Sequence, residues 1–454
     1  MIRLAVFALL GTGLVACGDN TAAECGGDGG VHVCKGALRD PEGRAMIPRG
    51  VNFAGSHKTA PYTDDFTPAD YAQLHTWGFR TLRFIITWAA IEPTQGTYDE
   101  GYLDWVAERL RWAHDAGLDA ILDMHEDVYG VGFGFDGAPA WTCDASHYAA
   151  FVPRDPWPLN YTDANVLACI DRFMTDAPLQ AQFAAMWGHV AARLADSPAV
   201  IGFDPLNEPH WGTYPVAMFE ADRLMPLYQL VIDQVRAVAP WVVFAEPSGS
   251  RNLGFATKLR PFVIPDVVYA PHLYDPNAEL QGVFDAAHRI TLLATADDLR
   301  ADAERLGVPM WIGEYGGIAT APTIAVYMDA AYDGAASTLG GSMYWSMDKG
   351  GGYSIYDAQG VPRPMLIDAI VRPAPVRIAG DPIAWTYDDA TRALTLTWTP
   401  DRSIAAPTVI AVPVKVYPNG VNVECGGCTV EEGQGEVMLR SVTGTEQTLT
   451  ITAR

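Results

Sequence analysis

Between residues 47 and 371, short and almost uninterrupted apolar runs alternate with longer stretches whose apolar residues recur every three or four positions. The short runs lie at 49–53, 81–87, 120–124, 200–206, 242–245, 267–270, 310–313 and 342–345. Strands covered on both faces read as continuous hydrophobic runs rather than as alternation. The longer periodicity, clearest at 103–116, 182–194, 221–238 and 323–336, predicts amphipathic helices. Eight strand–helix units in about 325 residues fit an α/β fold, the (β/α)8 TIM barrel with insertions. A doubly wound sheet is the alternative, but no glycine-rich phosphate turn follows the first strand.

Beyond residue 373 the pattern changes to two-residue alternation, at 393–399, 414–417 and 448–452, with turn residues between. It predicts a C-terminal antiparallel β-sandwich domain over 372–454, joined to the barrel at 372–375. At the other end, Arg3 precedes an apolar run from Leu4 to Ala16, too short to span a bilayer but suited to an export signal. The run ends in Leu14-Val15-Ala16-Cys17, which resembles a bacterial lipobox, where the cysteine is lipidated and becomes the first mature residue. An ordinary signal peptide is the alternative. The expected layout is a signal peptide over 1–16, a glycine-rich tether over 17–36 and a barrel over 37–371. The protein is expected to be exported, as a cell-envelope lipoprotein or a secreted protein, and monomeric.

Export permits disulfides. With Cys17 set aside, six cysteines remain, and proximity in sequence favours Cys25–Cys34, Cys143–Cys169 and Cys425–Cys428. A zinc site at the last pair would need a second pair nearby, and none is present, so no metal or other cofactor is expected. A hydrophobic fraction of 49% excludes wholesale disorder, and a formal charge of -24 argues against nucleic acid as a partner. Thirteen Trp and 19 Tyr suit flat ligands such as sugar rings.

Barrel chemistry sits where strands end, on the C-terminal face. The fourth strand runs into Asn207-Glu208-Pro209 and the seventh into Glu314-Tyr315-Gly316. Two carboxyl groups that converge across the mouth could cut a glycosidic bond, one protonating the leaving oxygen while the other attacks the anomeric carbon. Arg83, His125, His272, Tyr274 and Trp345 stand at or near other strand ends, the last as a platform for a sugar. Glu246 and Asp127 lie there too.

The set Arg83, His125, Asn207-Glu208-Pro209, His272-Leu273-Tyr274, Glu314 and Trp345 resembles glycoside hydrolase family 5, clan A, over residues 47–371. The resemblance implies that Glu208 is the acid/base and Glu314 the nucleophile of a retaining enzyme. Finer stretches at 55–61, 123–129 and 137–141, with the β tail, resemble the endoglycoceramidase branch, which separates the oligosaccharide of glycosphingolipids from ceramide. That resemblance implies sugar binding by Lys58, His125 and Asp127, with a glycosphingolipid substrate at a membrane surface. It departs from the branch at Glu126, where Gln is expected, and at Tyr315, where Phe is. An aromatic insertion at 128–178, with Trp141, Phe151, Trp157 and Tyr161, could cover an acyl chain or equally a polysaccharide, and an apolar channel is expected beside Trp141 or Trp157. The alternatives are a family 5 β-glucanase or β-glucosidase and, more remotely, a non-catalytic carbohydrate-binding surface protein.

Overall fold

A computed structural model describes residues 29–454. Its centre is a parallel eight-stranded sheet: β1 (Arg49–Phe53), β2 (Thr81–Ile86), β3 (Asp119–Met124), β4 (Val200–Asp204), β5 (Val242–Ala245), β6 (Val267–Tyr269), β7 (Trp311–Tyr315) and β8 (Gly341–Met347). Strands pair in chain order, β8 returns to β1, and a parallel bridge from Tyr269 to Met310 closes the barrel between β6 and β7. All eight expected strands are present. Close packing at the seam of β1 and β2 demands glycine at position 50, where a Cβ would fall 1.6 Å from the Thr81 carbonyl oxygen.

The outer layer comprises α1 (Pro68–Thr76), α2 (Glu100–Asp115), α3 (Ala177–Leu194), α4 (Met225–Arg236), α5 (Ala286–Leu306), α6 (Ile324–Ser337) and α7 (Pro364–Ile370). Entry to α1 is fixed by a reciprocal cap between Thr67 and Asp70. The expected helix at 221–238 is interrupted, because residues Glu220–Leu224 form a π-turn before α4 begins.

The C-terminal region packs as two antiparallel sheets, one of them Gly380–Asp388, Ala393–Pro400, Gln447–Ala453 and Val421–Glu424. The other includes Ala374–Ile378, Thr408–Ala411, Glu436–Ser441 and Cys428–Gly433, and it also takes in His32–Cys34, Ala37–Arg39 and Ala45–Met46. Residues 32–46 therefore belong to the sandwich rather than to the end of a tether and the start of the barrel, while residues 17–28 of the expected tether lie outside the described residues. The Leu38 and Met46 side chains plug the barrel floor against Ile121, Phe244 and Trp311, burying apolar surface at the end away from the chemistry. Residues 414–417 are not a strand. Val416 and Tyr417 both donate to the Pro413 carbonyl, a helical turn that Pro can open but whose period-two pattern in sequence imitates a strand.

Cys143–Cys169 and Cys425–Cys428 are bonded as expected. Cys34 is disulfide-bonded too, while Cys25, Cys17 and the apolar leader lie outside the described residues.

Candidate active site

Under the C-terminal mouth of the barrel lies a polar layer rather than an apolar one. Arg83, on β2, is fully buried, and its guanidinium donates to Asp123 (2.8 Å), Asp204 (3.0 Å), Glu246 (2.7 Å) and Glu314 (2.6 Å) as well as to Asn52 and Asn207 (2.9 Å each). One delocalised cation with five donors in a fixed fork can serve this many acceptors, which a lysine could not. Arg83 was expected among the sugar-binding residues. The structure places all its donors on protein acceptors beneath the mouth, where it supports the carboxyl groups.

Glu208 follows β4 with φ of +41°, a left-handed conformation that costs a non-glycine residue about 1–3 kcal/mol. Its N–H donates to Oε2 of Glu246 at 2.7 Å, which holds the strained turn in place. Its carboxylate accepts from Asn252 Nδ2 (2.6 Å) and pairs with His272 Nδ1 (2.7 Å). Glu314, on β7, accepts from Arg83 and, through Oε2, from the Tyr274 hydroxyl at 2.9 Å. Ligand atoms of Glu208, His272 and Glu314 all lie within 4.8 Å of one another. His272 reaches Glu246 with its other nitrogen at 3.0 Å, so it bridges three carboxyl groups.

The electrostatics of this cluster are uneven. Burial pushes the Glu314 carboxyl up to about 7 despite His272 and Arg83. Desolvation also pushes the half-buried Glu208 up, but the hydrogen bond and charge of His272 outweigh it and hold the carboxyl below the ordinary glutamate value. Burial opposes the His272 imidazolium, yet the Glu246 and Glu314 carboxylates raise it well above the usual histidine range.

A second group faces the first across the mouth. Lys58 pairs with Asp127 and lies 3.5 Å from Asp136, with Nζ 5.1 Å above the Trp345 ring. His125 stacks on the same tryptophan at 5.1 Å and binds Asp123 through Nδ1 at 2.7 Å. Burial and the Lys58 charge keep His125 neutral, so with Nδ1–H donated, Nε2 can accept from a hydroxyl. The insertion folds back here by way of Gly137, at φ of +111°, where a Cβ would strike that of Glu126 at 2.5 Å.

The family model described as cellulase (glycosyl hydrolase family 5) matches residues 44–351, and that of the glycoside hydrolase family 5 C-terminal domain matches 372–452. The chain belongs to glycosyl hydrolase family 5. Among curated proteins it is similar to endoglycoceramidase I of Rhodococcus hoagii (strain 103S), 30% identical over 426 residues that cover 88% of this chain and 82% of the relative. Among solved structures it is similar to endo-glycoceramidase II from Rhodococcus sp. in its ganglioside GM3 complex, at 32% identity and a TM-score of 0.83, covering 92% of this chain and 99% of that one. The same enzyme as a lactosyl-enzyme intermediate matches with a TM-score of 0.81 at 32% identity, again over 92% and 99% of the two chains. Sterylglucosidase 1 of Cryptococcus neoformans shares the fold at 16% identity, with a TM-score of 0.75 over 93% and 97% of the chains. This chain is a glycoside hydrolase of the retaining, endoglycoceramidase-like kind.

In this family 5 site, Glu208, Glu314, His272, Tyr274, Lys58, Asp127, His125 and Trp345 line the mouth, with Asn207 beneath, donating to the Glu126 carbonyl at 3.1 Å. Sequence reasoning missed Asn252, Asp136, Asp123, Asp204 and the role of Glu246. Only Glu246 stood out, as a strand-end carboxylate; Asp123 and Asp204 sit within apolar runs and read as isolated interruptions. Glu126 departs from the branch less than its charge suggests. Burial and Asp127 lift it well above the ordinary value, so it stays protonated, neutral and close in shape to Gln.

The two tryptophans of the expected lid diverge. Trp141 donates Nε1 to the Glu92 carbonyl at 3.0 Å and packs edge-on against Trp88, so it fastens the insertion to the barrel and is not free to move over a ligand. Trp157 is exposed on the short helix Trp157–Thr162. An apolar cavity under the insertion, lined by Trp88, Met124, Phe173 and Phe183 among others, encloses about 30 Å³, room for a water rather than an acyl chain.

Proposed function

We propose that the chain hydrolyses the β-linkage between the oligosaccharide and the ceramide of glycosphingolipids, with Glu314 as nucleophile and Glu208 as acid/base. The observation that carries the chemistry is the Glu208–His272–Glu314 cluster, whose ligand atoms lie within 4.8 Å of one another. Double displacement needs two carboxyl groups about 5–5.5 Å apart, whereas an inverting enzyme leaves about 6.5–9.5 Å for a water. The lipid aglycone is supported by the two Rhodococcus endoglycoceramidases, one of them bound to ganglioside GM3.

Glu314 attacks the anomeric carbon while Arg83 and Tyr274 hold its two oxygens. In the free protein the pair's single proton sits on Glu314, the carboxyl group with the higher value, while His272 donates to Glu208 at 2.7 Å. A sugar that excludes water from the cleft desolvates Glu208 further, which favours its neutral form; the proton then passes from Glu314 to Glu208 by way of His272 Nδ1, which lies 3.6 Å from Glu314 Oε2, and leaves Glu314 ionised for attack. Glu208 then protonates the glycosidic oxygen, ceramide leaves, and the same carboxylate deprotonates the water that releases the sugar from Glu314. Lys58, Asp127 and the free nitrogen of His125 bind hydroxyls beside Trp345.

Export with acylation at Cys17 is proposed on the pattern of residues 3–17, and the monomer as the working form. The test of the reaction is incubation of purified protein with a ganglioside in detergent, and separately with soluble β-glucans, followed by thin-layer chromatography. Intact oligosaccharide and free ceramide are expected; rapid attack on glucans with none on the lipid would favour a β-glucanase.

A further inference from the structure

Large apolar side chains are left in solvent along one arc of the barrel mouth. Trp157 and Leu159 come from the loop after β3, Met218 from that after β4, Leu253 and Phe255 from that after β5, and Leu280 from that after β6. Each is between 41% and 68% exposed. The four loops follow consecutive strands, so these side chains stand on neighbouring loops along one arc of the mouth. Contacts tie the rim to the cleft: Asn252, the neighbour of Leu253, donates to Glu208, and Tyr161, on the helix that carries Trp157, accepts from Val128 N–H at 2.9 Å. Large apolar side chains exposed on neighbouring loops around a cleft suit an interaction surface.

We propose that this rim seats the enzyme, mouth down, on an uncharged or zwitterionic lipid surface that carries its substrate; the idea rests on the glycolipid reading above. Three observations choose the occupant. Anything that covers a rim around the cleft also covers the cleft, so the occupant has to present the substrate itself. A second copy of the chain would seal the site, whereas a lipid surface delivers sugars into it. The mouth is also free to lie flat, because the bulky sandwich attaches at the other end: Val33 N–H donates to Asp266 just before β6 at 2.7 Å, and Arg377 pairs with Asp119 at the start of β3. Finally, a formal charge of -24 disfavours an anionic surface, leaving apolar insertion as the attractive force.

The test uses residues 18–454, so that neither the apolar leader nor an acylated Cys17 contributes. Flotation with phosphatidylcholine vesicles is compared for the parent and for Trp157→Ser/Leu253→Ser/Phe255→Ser. The parent is expected to float, at 0.15 M salt and at about 1 M alike, and more weakly with phosphatidylglycerol vesicles. The triple variant should lose at least about tenfold in vesicle binding and in kcat/KM on vesicle-borne glycolipid, yet stay within about twofold on a soluble aryl β-glycoside. A parent that does not float, an equal loss on the soluble glycoside, or a dimer in sedimentation that the variant abolishes would each overturn the proposal. Because flotation needs no glycolipid, a protein that floats but cleaves only glucans would sink the glycolipid reading and leave the lipid-facing rim standing.

Discussion

Nδ1 of His272 lies 2.7 Å from Oε1 of Glu208, and that one hydrogen bond sets which carboxyl group of the pair holds a proton. With Glu208 below its ordinary value and Glu314 at about 7, the pair carries a single proton between those limits. Both are protonated below the lower limit and both ionised above about 7, and neither state supports retaining hydrolysis. The profile of kcat/KM against pH should therefore be a bell on the acidic side of neutral, its alkaline limb near 7.

Replacing His272 shifts that bell in a direction that can be stated beforehand. His272 lowers both Glu208 and Glu314, so His272→Asn raises both and moves both limbs to higher pH. A profile that keeps its position while falling in height would show that His272 does not control the proton.

The two glutamates should separate in their response to leaving group. Glu314→Ala removes the atom that forms the covalent bond, so turnover should vanish on every substrate, and azide should restore it with an inverted product. Glu208→Ala removes the proton donor and should cost about 10²–10⁴-fold on glycolipid, but little on an activated aryl glycoside whose leaving group needs no proton. Proton NMR of the first sugar released by the parent should show the retained anomer.

The barrel was legible because a strand buried on both faces leaves an unbroken apolar run, and Glu208 and Glu314 stand directly after or at the end of such runs. What stayed hidden was distributed over the chain. Asp136 reaches Lys58 only because Gly137 lets the insertion turn back on Glu126, and no local pattern announces that fold. Helix α5 buries a narrow stripe in which Ala296 and Ala303 alternate with leucines, too weak a signal to stand out among its charged residues. Strand His32–Cys34 gives no apolar alternation over its three residues, and long-range pairing decides its place. The engagement of Arg83 with the carboxyl groups was hidden for a related reason: a strand-end arginine looks the same in sequence whether it faces a ligand or the carboxyl groups beneath it.

Removing Arg83 tests that distinction. Arg83→Met keeps the bulk of the side chain but removes the cation that Asp123, Asp204, Glu246 and Glu314 share, leaving only His272 beside Glu246 and Glu314. Breaking a buried ion pair from one side costs about 3–5 kcal/mol, so the urea midpoint should fall sharply at neutral pH. The loss should shrink in acid as the freed carboxyl groups take up protons. A variant with unchanged stability and raised KM alone would return Arg83 to the sugar-binding residues.

Glu126→Gln makes the opposite case, a loss of a titratable group that should help. Burial raises the folded-state value of Glu126 well above that of the unfolded chain, so the folded protein retains a proton that the unfolded chain releases. Its contribution is fully present below the unfolded glutamate value near 4.3 and is lost as pH rises toward the folded one, at about 1.4 kcal/mol per unit. Glutamine keeps the size and cannot ionise. It also retains an oxygen that can accept from Tyr129 N–H, as Oε2 of Glu126 does at 2.8 Å. The variant should therefore match the parent in stability near pH 4 and exceed it increasingly toward neutrality, with activity within about twofold where the parent's Glu126 is still protonated. Urea unfolding at several pH values reads this directly: a difference between the two proteins that does not change with pH would mean that Glu126 is ionised in the fold, and that the departure from glutamine places a charge beside the sugar site.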